Sequence, residues 1–255
     1  MPGAHGAPGI SVCRETVSAP GKRNDERRRS HGMSIIHKTT MSPTKLELLT
    51  PWLPQQPWYA AAQRPPELSR VGGFRLDDPK GQVGMEFMVV RDDAGDRPAW
   101  YHVPMTYRAT PLDGAERALI GTTEHGVLGR RWIYDGPYDP VLVAQLIALL
   151  QGRAEPQAQS ESHTADPSVT AEVAGAGFDV PAGAAGAPAV ANRRDGTRLL
   201  LGDGGPALHV TRVLRPESGA ESTGSLGHVS AGWRLSEGGE ARGRYVVLYE
   251  SDSAS

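Results

Sequence analysis

The stretch from Asp139 to Gly152, DPVLVAQLIALLQG, constrains this chain more than any other. Asp139 is a good helix N-cap, and Pro140 suits the first helical position, where its missing N–H is not needed. Leu142, Leu146, Leu149 and Leu150 recur at spacings of three and four, which puts them on one helical face. Gly152 then fits the left-handed position that ends a helix. At roughly 1.5–3 kcal/mol per buried aliphatic side chain, that face contributes about 6–12 kcal/mol as an upper bound. A helix over Asp139–Gln151 therefore needs a partner surface, and the aromatic segments just before it are the nearest.

Those segments alternate. In Gln82 to Arg91, Val83, Met85, Phe87 and Val89 share one side, with Gly84, Glu86 and Met88 on the other. Asp92, Asp93, Ala94, Gly95 and Asp96 make a turn. Trp100 to Arg108 follows, with Tyr101, Val103, Met105 and Tyr107 on one side, so an antiparallel hairpin is expected. Pro104 cannot donate to a ladder, which predicts an edge strand or a bulge there. Val71–Leu76 and Val127–Tyr134 read as further strands. Upstream, Leu46, Leu49 and Leu53 have helical spacing, with Pro51 at a kink or boundary. Trp52 and Trp58 suit either a stacking platform for a sugar ring or a core staple; the leucines nearby favour the staple.

The rest of the chain is punctuated differently. Residues 1–41 are rich in Gly, Pro, Ser and charge and read as a disordered extension, with Met1, Met33 and Met41 as alternative starts. Residues 42–152 form the first folded unit. Residues 153–192, dominated by Ala, Gly, Pro, Ser and Glu, read as a disordered linker. Residues 193–250 return to short strands, Arg198–Leu201, Ala207–Leu214, Val229–Leu235 and Arg244–Tyr249. Four short strands make a thin core, so this β-rich region is expected to pack on the first unit. Residues 251–255 form a frayed tail. The fold class is α+β: a curved antiparallel sheet with one packed helix, then the linker and a small β-rich C-terminal unit.

Function is bounded mainly by exclusion. A net charge of −2 gives no electrostatic reason to expect nucleic acid or an anionic membrane, and no run approaches the about 20 apolar residues of a membrane span. One cysteine, Cys13, excludes an intrachain disulfide and a Cys-rich zinc site, and the cytoplasm is the default location. The Gly202–Gly205 turn lacks a phosphate-loop lysine. His125-Gly126 is followed by Val127, where a phosphotransferase loop wants aspartate as base. His102 and His125 lack metal-ligand spacing and are expected as ordinary core or surface histidines. Among the carboxylates Glu116, Glu124, Asp135 and Asp139, the last is explained as a cap and Asp135 as part of a turn. No catalytic residue, cofactor or metal site is assigned. Arg108 and Arg131 beside Trp100, Tyr107 and Trp132 are the candidate ligand or partner surface, because arginines grip phosphate or carboxylate bidentately and aromatics offer flat faces.

Two blocks carry a family resemblance. WLPQQPWY (Trp52–Tyr59) resembles the W-L-P-x-Q-R-W-F opening of the N-terminal cap domain of actinobacterial maltokinases, with Pro57 and Tyr59 departing from it. YHVPMTYR, and then ALIGTTEHGVLGRRWIYDGPYDP, resemble that domain's V-P-L-T-Y-R strand and its later Asp-Pro. The likeness runs from about Leu46 to Gly152. It implies an architecture like that of aminoglycoside phosphotransferases, in enzymes that use ATP and magnesium to phosphorylate maltose between trehalose and α-glucan. The catalytic lobe that would follow is not evident here: there is no H-G-D loop and no later metal-binding aspartate motif. ALHVTRVLRP resembles the family's nucleotide-lysine strand, with His209 in place of the lysine. The expectation is a non-catalytic cap-like protein, a protein-interaction or regulatory module whose partner is an enzyme of α-glucan or trehalose metabolism. The alternative is a module binding a sugar or sugar phosphate.

Overall fold

The structure, a computed structural model, describes residues 41–60, 63–159, 164–174, 189–202, 204–215, 224–235 and 238–250. Of the extension expected to be disordered over residues 1–41, residues 1–40 lie outside the described residues, as does the tail 251–255, whereas Met41 belongs to a strand paired with His125. The fold is an antiparallel sheet with one packed 11-residue helix. In chain order the elements begin with β1 (Met41–Ser42) and helix α1 (Lys45–Trp52), which passes into a 3-10 turn at Leu53–Gln55. Next come β2 (Leu68–Asp77), β3 (Gly84–Asp92), β4 (Ala99–Arg108), β5 (Leu119–His125), β6 (Gly129–Asp135) and helix α2 (Pro140–Leu150). They are followed by β7 (Gln157–Ala158), β8 (Thr170–Val173), β9 (Ala189–Arg193), β10 (Gly196–Leu200), β11 (Ala207–Thr211), β12 (Val213–Leu214), β13 (Ser225–Arg234) and β14 (Glu240–Tyr249).

The helices start where local chemistry says they should. Thr44 and Glu47 form a reciprocal capping box on α1, each satisfying a backbone N–H of the other's residue. Pro51 sits in the last turn of α1, and the chain tightens into the 3-10 turn immediately after it. In α2 the Asp139 side chain accepts from the Val141 N–H at 3.0 Å, Pro140 opens the helix, and Gly152 follows it at φ +67°. Seven of the 11 residues of α2 are buried, from Leu142 to Leu150.

The strands form one sheet, in the order β1-β5-β6-β4-β3-β2-β13-β14-β11-β10-β9. Alternation along β3 separates two cores. Val83, Met85, Phe87 and Val89 join α2 and the C-terminal strands in the larger one. Met88 and Val90 join Leu49, Trp52, Leu53, Trp58, Tyr101, Val103, Met105 and Ile133 in the other, under α1. Trp52 and Trp58 are a core staple, meeting edge to face at 5.8 Å between ring centroids. Phe74 stacks on Phe87 at 4.5 Å in the larger core.

Several expectations change in three dimensions. The stretch 153–192 is not simply a linker: β7 pairs with β2, β8 with β13 and β9 with β10. The C-terminal strands do not form a separate layer on the first unit; they continue its sheet through β2–β13 and β4–β12. The strand expected over Val127–Tyr134 begins two residues later, because Val127 and Leu128 lie in the turn that joins it to β5, a strand not read from the sequence. Ala207–Leu214 is two strands, interrupted at Arg212.

Pro104 is the instructive case. β4 is an interior strand, paired with β3 from Ala99 to Tyr107. Its other edge is shared by two strands laid end to end: β12 opposite Trp100 and Tyr101, and β6 opposite Met105 to Arg108. The His102 N–H points to that edge, donating to the Arg212 carbonyl at 2.9 Å. Two residues on, the nitrogen of Pro104 points the same way. It therefore falls in the gap between β12 and β6, where no ladder bond is lost.

Candidate functional site

The five residues singled out as a ligand surface do not converge. Trp100, the second residue of β4, donates its Nε1–H to the Arg234 carbonyl at 3.3 Å and packs against the larger core. Tyr107 and Arg108 lie at the other end of β4, roughly 25 Å away at about 3.3 Å per strand residue. They also point to opposite sides. Tyr107 faces α1, and so does Arg131, two residues before Ile133, the cross-strand partner of Tyr107. Arg108 lies directly opposite Trp132, whose ring packs against Ala115, Ala118 and Tyr134. Alternation along β4 and β6 thus divides the set between two faces.

Arg108 is already occupied. Its Nε and Nη2 donate to the two Asp139 oxygens, both at 2.7 Å, and the Asp139 side chain is fully buried. Asp139 holds the arginine and caps α2 at once, which ties the last sheet residue of β4 to the start of the helix. The bond to Asp139 raises the Arg108 pKa.

Two further polar clusters were not foreseen. Glu86, on the α1 side of β3, is buried and accepts from Lys45 at 2.5 Å, Tyr107 at 2.6 Å and Gln159 at 2.7 Å. Burial opposes ionisation of Glu86, but the Lys45 ammonium and the three donors outweigh it and hold its pKa below the ordinary value. Burial and that same carboxylate push the Tyr107 hydroxyl well above its usual range. The second cluster joins the end of β6 to the break between β11 and β12. Arg212 is fully buried and its Nη2 reaches both Asp135 oxygens at 2.7 Å, while its Nε donates to the Thr197 hydroxyl at 2.8 Å. The guanidinium lies 5.1 Å from the centre of the Trp58 ring. Burial pushes the Asp135 carboxyl above the ordinary range, and Arg212 only partly draws it back. A charged residue inside an apolar run, as in GMEFMVV, was the available signal for Glu86. Nothing local marked Arg212, whose partner is distant in sequence.

His102 sits beside this pair. It is buried against Tyr245 at 4.4 Å and Phe87 at 6.1 Å, its Nδ1 bonded to the Thr211 carbonyl at 3.0 Å. Burial and the neighbouring Arg212 push its pKa down to about 3. The unfolded chain protonates near 6.5, so between about 6.5 and 3 it binds a proton that the folded chain refuses. Folding stability is then expected to fall by about 1.4 kcal/mol for each pH unit below about 6.5 on account of His102. Urea unfolding at a series of pH values, with His102→Gln as comparison, tests this. Equal pH slopes for the two proteins would refute it.

Chemically, these groups are engaged with one another. The carboxylates of Glu86, Asp135 and Asp139 each face a bound cation of this chain. Among the described residues no group of three His, Cys, Asp or Glu side chains converges as a cation site. His125-Gly126 opens a hairpin turn, where the His125 Nδ1 accepts the Val127 and Leu128 N–H groups at 3.3 and 3.1 Å. That turn displays Val127 at 62% and Leu128 at 45% exposure, beyond the last pairing of β6 with β4. His209, in β11, is half buried, and burial lowers its pKa. No helix among the described residues is long and apolar enough to cross a membrane.

No curated protein matches the chain. Residues 52–139, which run from the end of α1 through β2–β6 to the residue that caps α2, match the model of a known family, the maltokinase N-terminal cap domain.

Proposed function

We propose that this chain is a cap-like contact module that does not itself transfer phosphate and that works against an enzyme of α-glucan or trehalose metabolism. One observation carries the reading. Within the segment similar to a maltokinase cap, the buried charges are spent on holding the fold, while large aliphatic side chains are displayed at the β5–β6 turn. Adjacent exposed aliphatic side chains at a turn tip offer apolar area that a protein partner can cover. Phosphoryl transfer instead needs a metal, its carboxylate ligands and a positioned base. The sugar-binding alternative loses one of its two arginines, since Arg108 is gripped by Asp139. A cytoplasmic location suits a chain with a single cysteine.

The test pairs two measurements on the full chain. Incubation with ATP, magnesium and maltose or trehalose is expected to release no ADP above the sugar-free blank. Immobilised protein is expected to retain an enzyme that acts on maltose, trehalose or maltose 1-phosphate, and to retain less of it when Val127 and Leu128 are both changed to serine. Sugar-dependent ADP release would overturn the proposal.

A further inference from the structure

Among the described residues strand β9 ends the sheet, pairing with β10 on one side only. A two-residue turn, Arg194–Asp195, joins the two strands, and the pairing from Arg193↔Gly196 to Ala189↔Leu200 runs without a bulge. In such a hairpin the residues flanking the turn exchange hydrogen bonds, and bonded pairs alternate with non-bonded ones. Arg193, Ala191 and Ala189 therefore spend their backbone groups on β10. Val190 and Asn192 direct theirs outward, to an edge with no strand beyond it among the described residues. Natural edges are usually blunted by proline, bulges or very short length. Ala189–Arg193 has no proline and no register shift.

One face of the same hairpin is a cleft of about 360 Å³. Ala191, Arg193, Arg198 and Leu200 line it, and Gly202 and Gly204 form its wall. Across residues 189–205 the charges are Arg193, Arg194 and Arg198 against Asp195 and Asp203. A second copy of this edge would bring like charge to like, whereas an acidic strand would be complementary.

From the edge left unpaired among the described residues, the cleft on the hairpin and the arginine excess, we infer that β9 is a docking edge for an extended acidic segment of a partner protein, which adds as a further antiparallel strand. Main-chain bonds to Val190 and Asn192 supply the pairing. Carboxylates at alternate positions of the guest reach the Arg193 side of the cleft. This inference rests on the contact-module reading and names a second surface for it, remote in sequence from the β5–β6 turn.

The probe is an N-acetylated, C-amidated octapeptide of alternating glutamate and valine, titrated into the ¹⁵N-labelled full chain. Saturable amide shifts are expected at Val190 and Asn192. Binding is expected to weaken about tenfold in Arg193→Glu, a change of an exposed side chain, with the melting temperature unchanged. Methylating alternate backbone nitrogens of the peptide is expected to abolish binding. Equal binding of a lysine-for-glutamate peptide, shifts confined to other strands, or absence of shifts would each overturn the inference. So would concentration-dependent shifts at β9 without peptide, which would assign the edge to a second copy. A chain that captures its partner enzyme yet binds no strand peptide removes this inference alone and leaves the contact-module reading standing.

Discussion

Replacing Arg212 with methionine is expected to cost about 3–5 kcal/mol of folding stability, because it leaves the buried Asp135 carboxylate without its counter-charge. Changing Asp135 to leucine as well is expected to recover most of that loss, since a desolvated pair replaced by apolar side chains of similar volume is often neutral or better. The single variant should also carry a signature in pH. Asp135 already sits above the ordinary carboxylate range, and losing Arg212 moves it further up. The folded variant then holds a proton that the unfolded chain has released, so its stability falls as pH rises through that window. Its deficit relative to the parent should be smaller at pH 5 than at pH 7.5. Urea melts of parent, single and double variants decide this. A double variant no more stable than the single one would show that the lost guanidinium matters for packing rather than for charge. The pair joins β6, inside the cap-like segment, to the residue between β11 and β12, so the experiment also measures how firmly the C-terminal strands hold that segment.

Gly73→Ala is the second large effect expected, at about 3–5 kcal/mol or outright failure to fold. Gly73 has φ +125°, a conformation closed to L side chains, and a Cβ there would stand 2.1 Å from the Phe87 carbonyl oxygen. That oxygen belongs to the adjacent strand β3, so it cannot swing aside as a flexible side chain would. Gly114→Ala is the control. Its φ is +73° and nothing lies within 4 Å of the added carbon, so it isolates the backbone cost, about 1–2 kcal/mol. If both variants lose equally little, close packing between β2 and β3 is not what fixes this position. The neighbouring Gly72 shows why the dipeptide matters. It pairs with Trp233, and its backbone approaches Gly232 closely enough that a Cβ would stand 3.0 Å from that carbonyl. Here β13 joins the cap-like strands.

The elements with strong local chemistry were legible in the sequence. Asp139, Pro140 and Gly152 specify where α2 begins and ends through bonds and dihedrals contained within a few residues. The side of β3 that faces α2 followed from alternation alone, because a strand has a period of two wherever it sits. The Trp52–Trp58 staple followed from the leucines around it. Strand β5 was missed because its sequence, LIGTTEH, has no apolar alternation, and its exposure pattern leaves only Thr123 buried. The five-residue ligand surface failed for a related reason. Neighbours along a strand point to opposite faces, so closeness in sequence separated Tyr107 from Arg108 instead of joining them.

By itself, then, the sequence determined the α2 boundaries, the alternation that assigns β3 and β4 residues to one side or the other, and the likeness of its middle third to a maltokinase cap. Only the tertiary structure decided which charges are spent. Arg212 meets Asp135, Lys45 meets Glu86, and Pro104 is tolerated in an interior strand because two strands from distant parts of the chain end beside it. Local dihedral preferences and capping bonds act over a few residues and can be read in order. Ion pairing and ladder closure depend on which segments the folded sheet brings side by side, and no short window of sequence contains both partners.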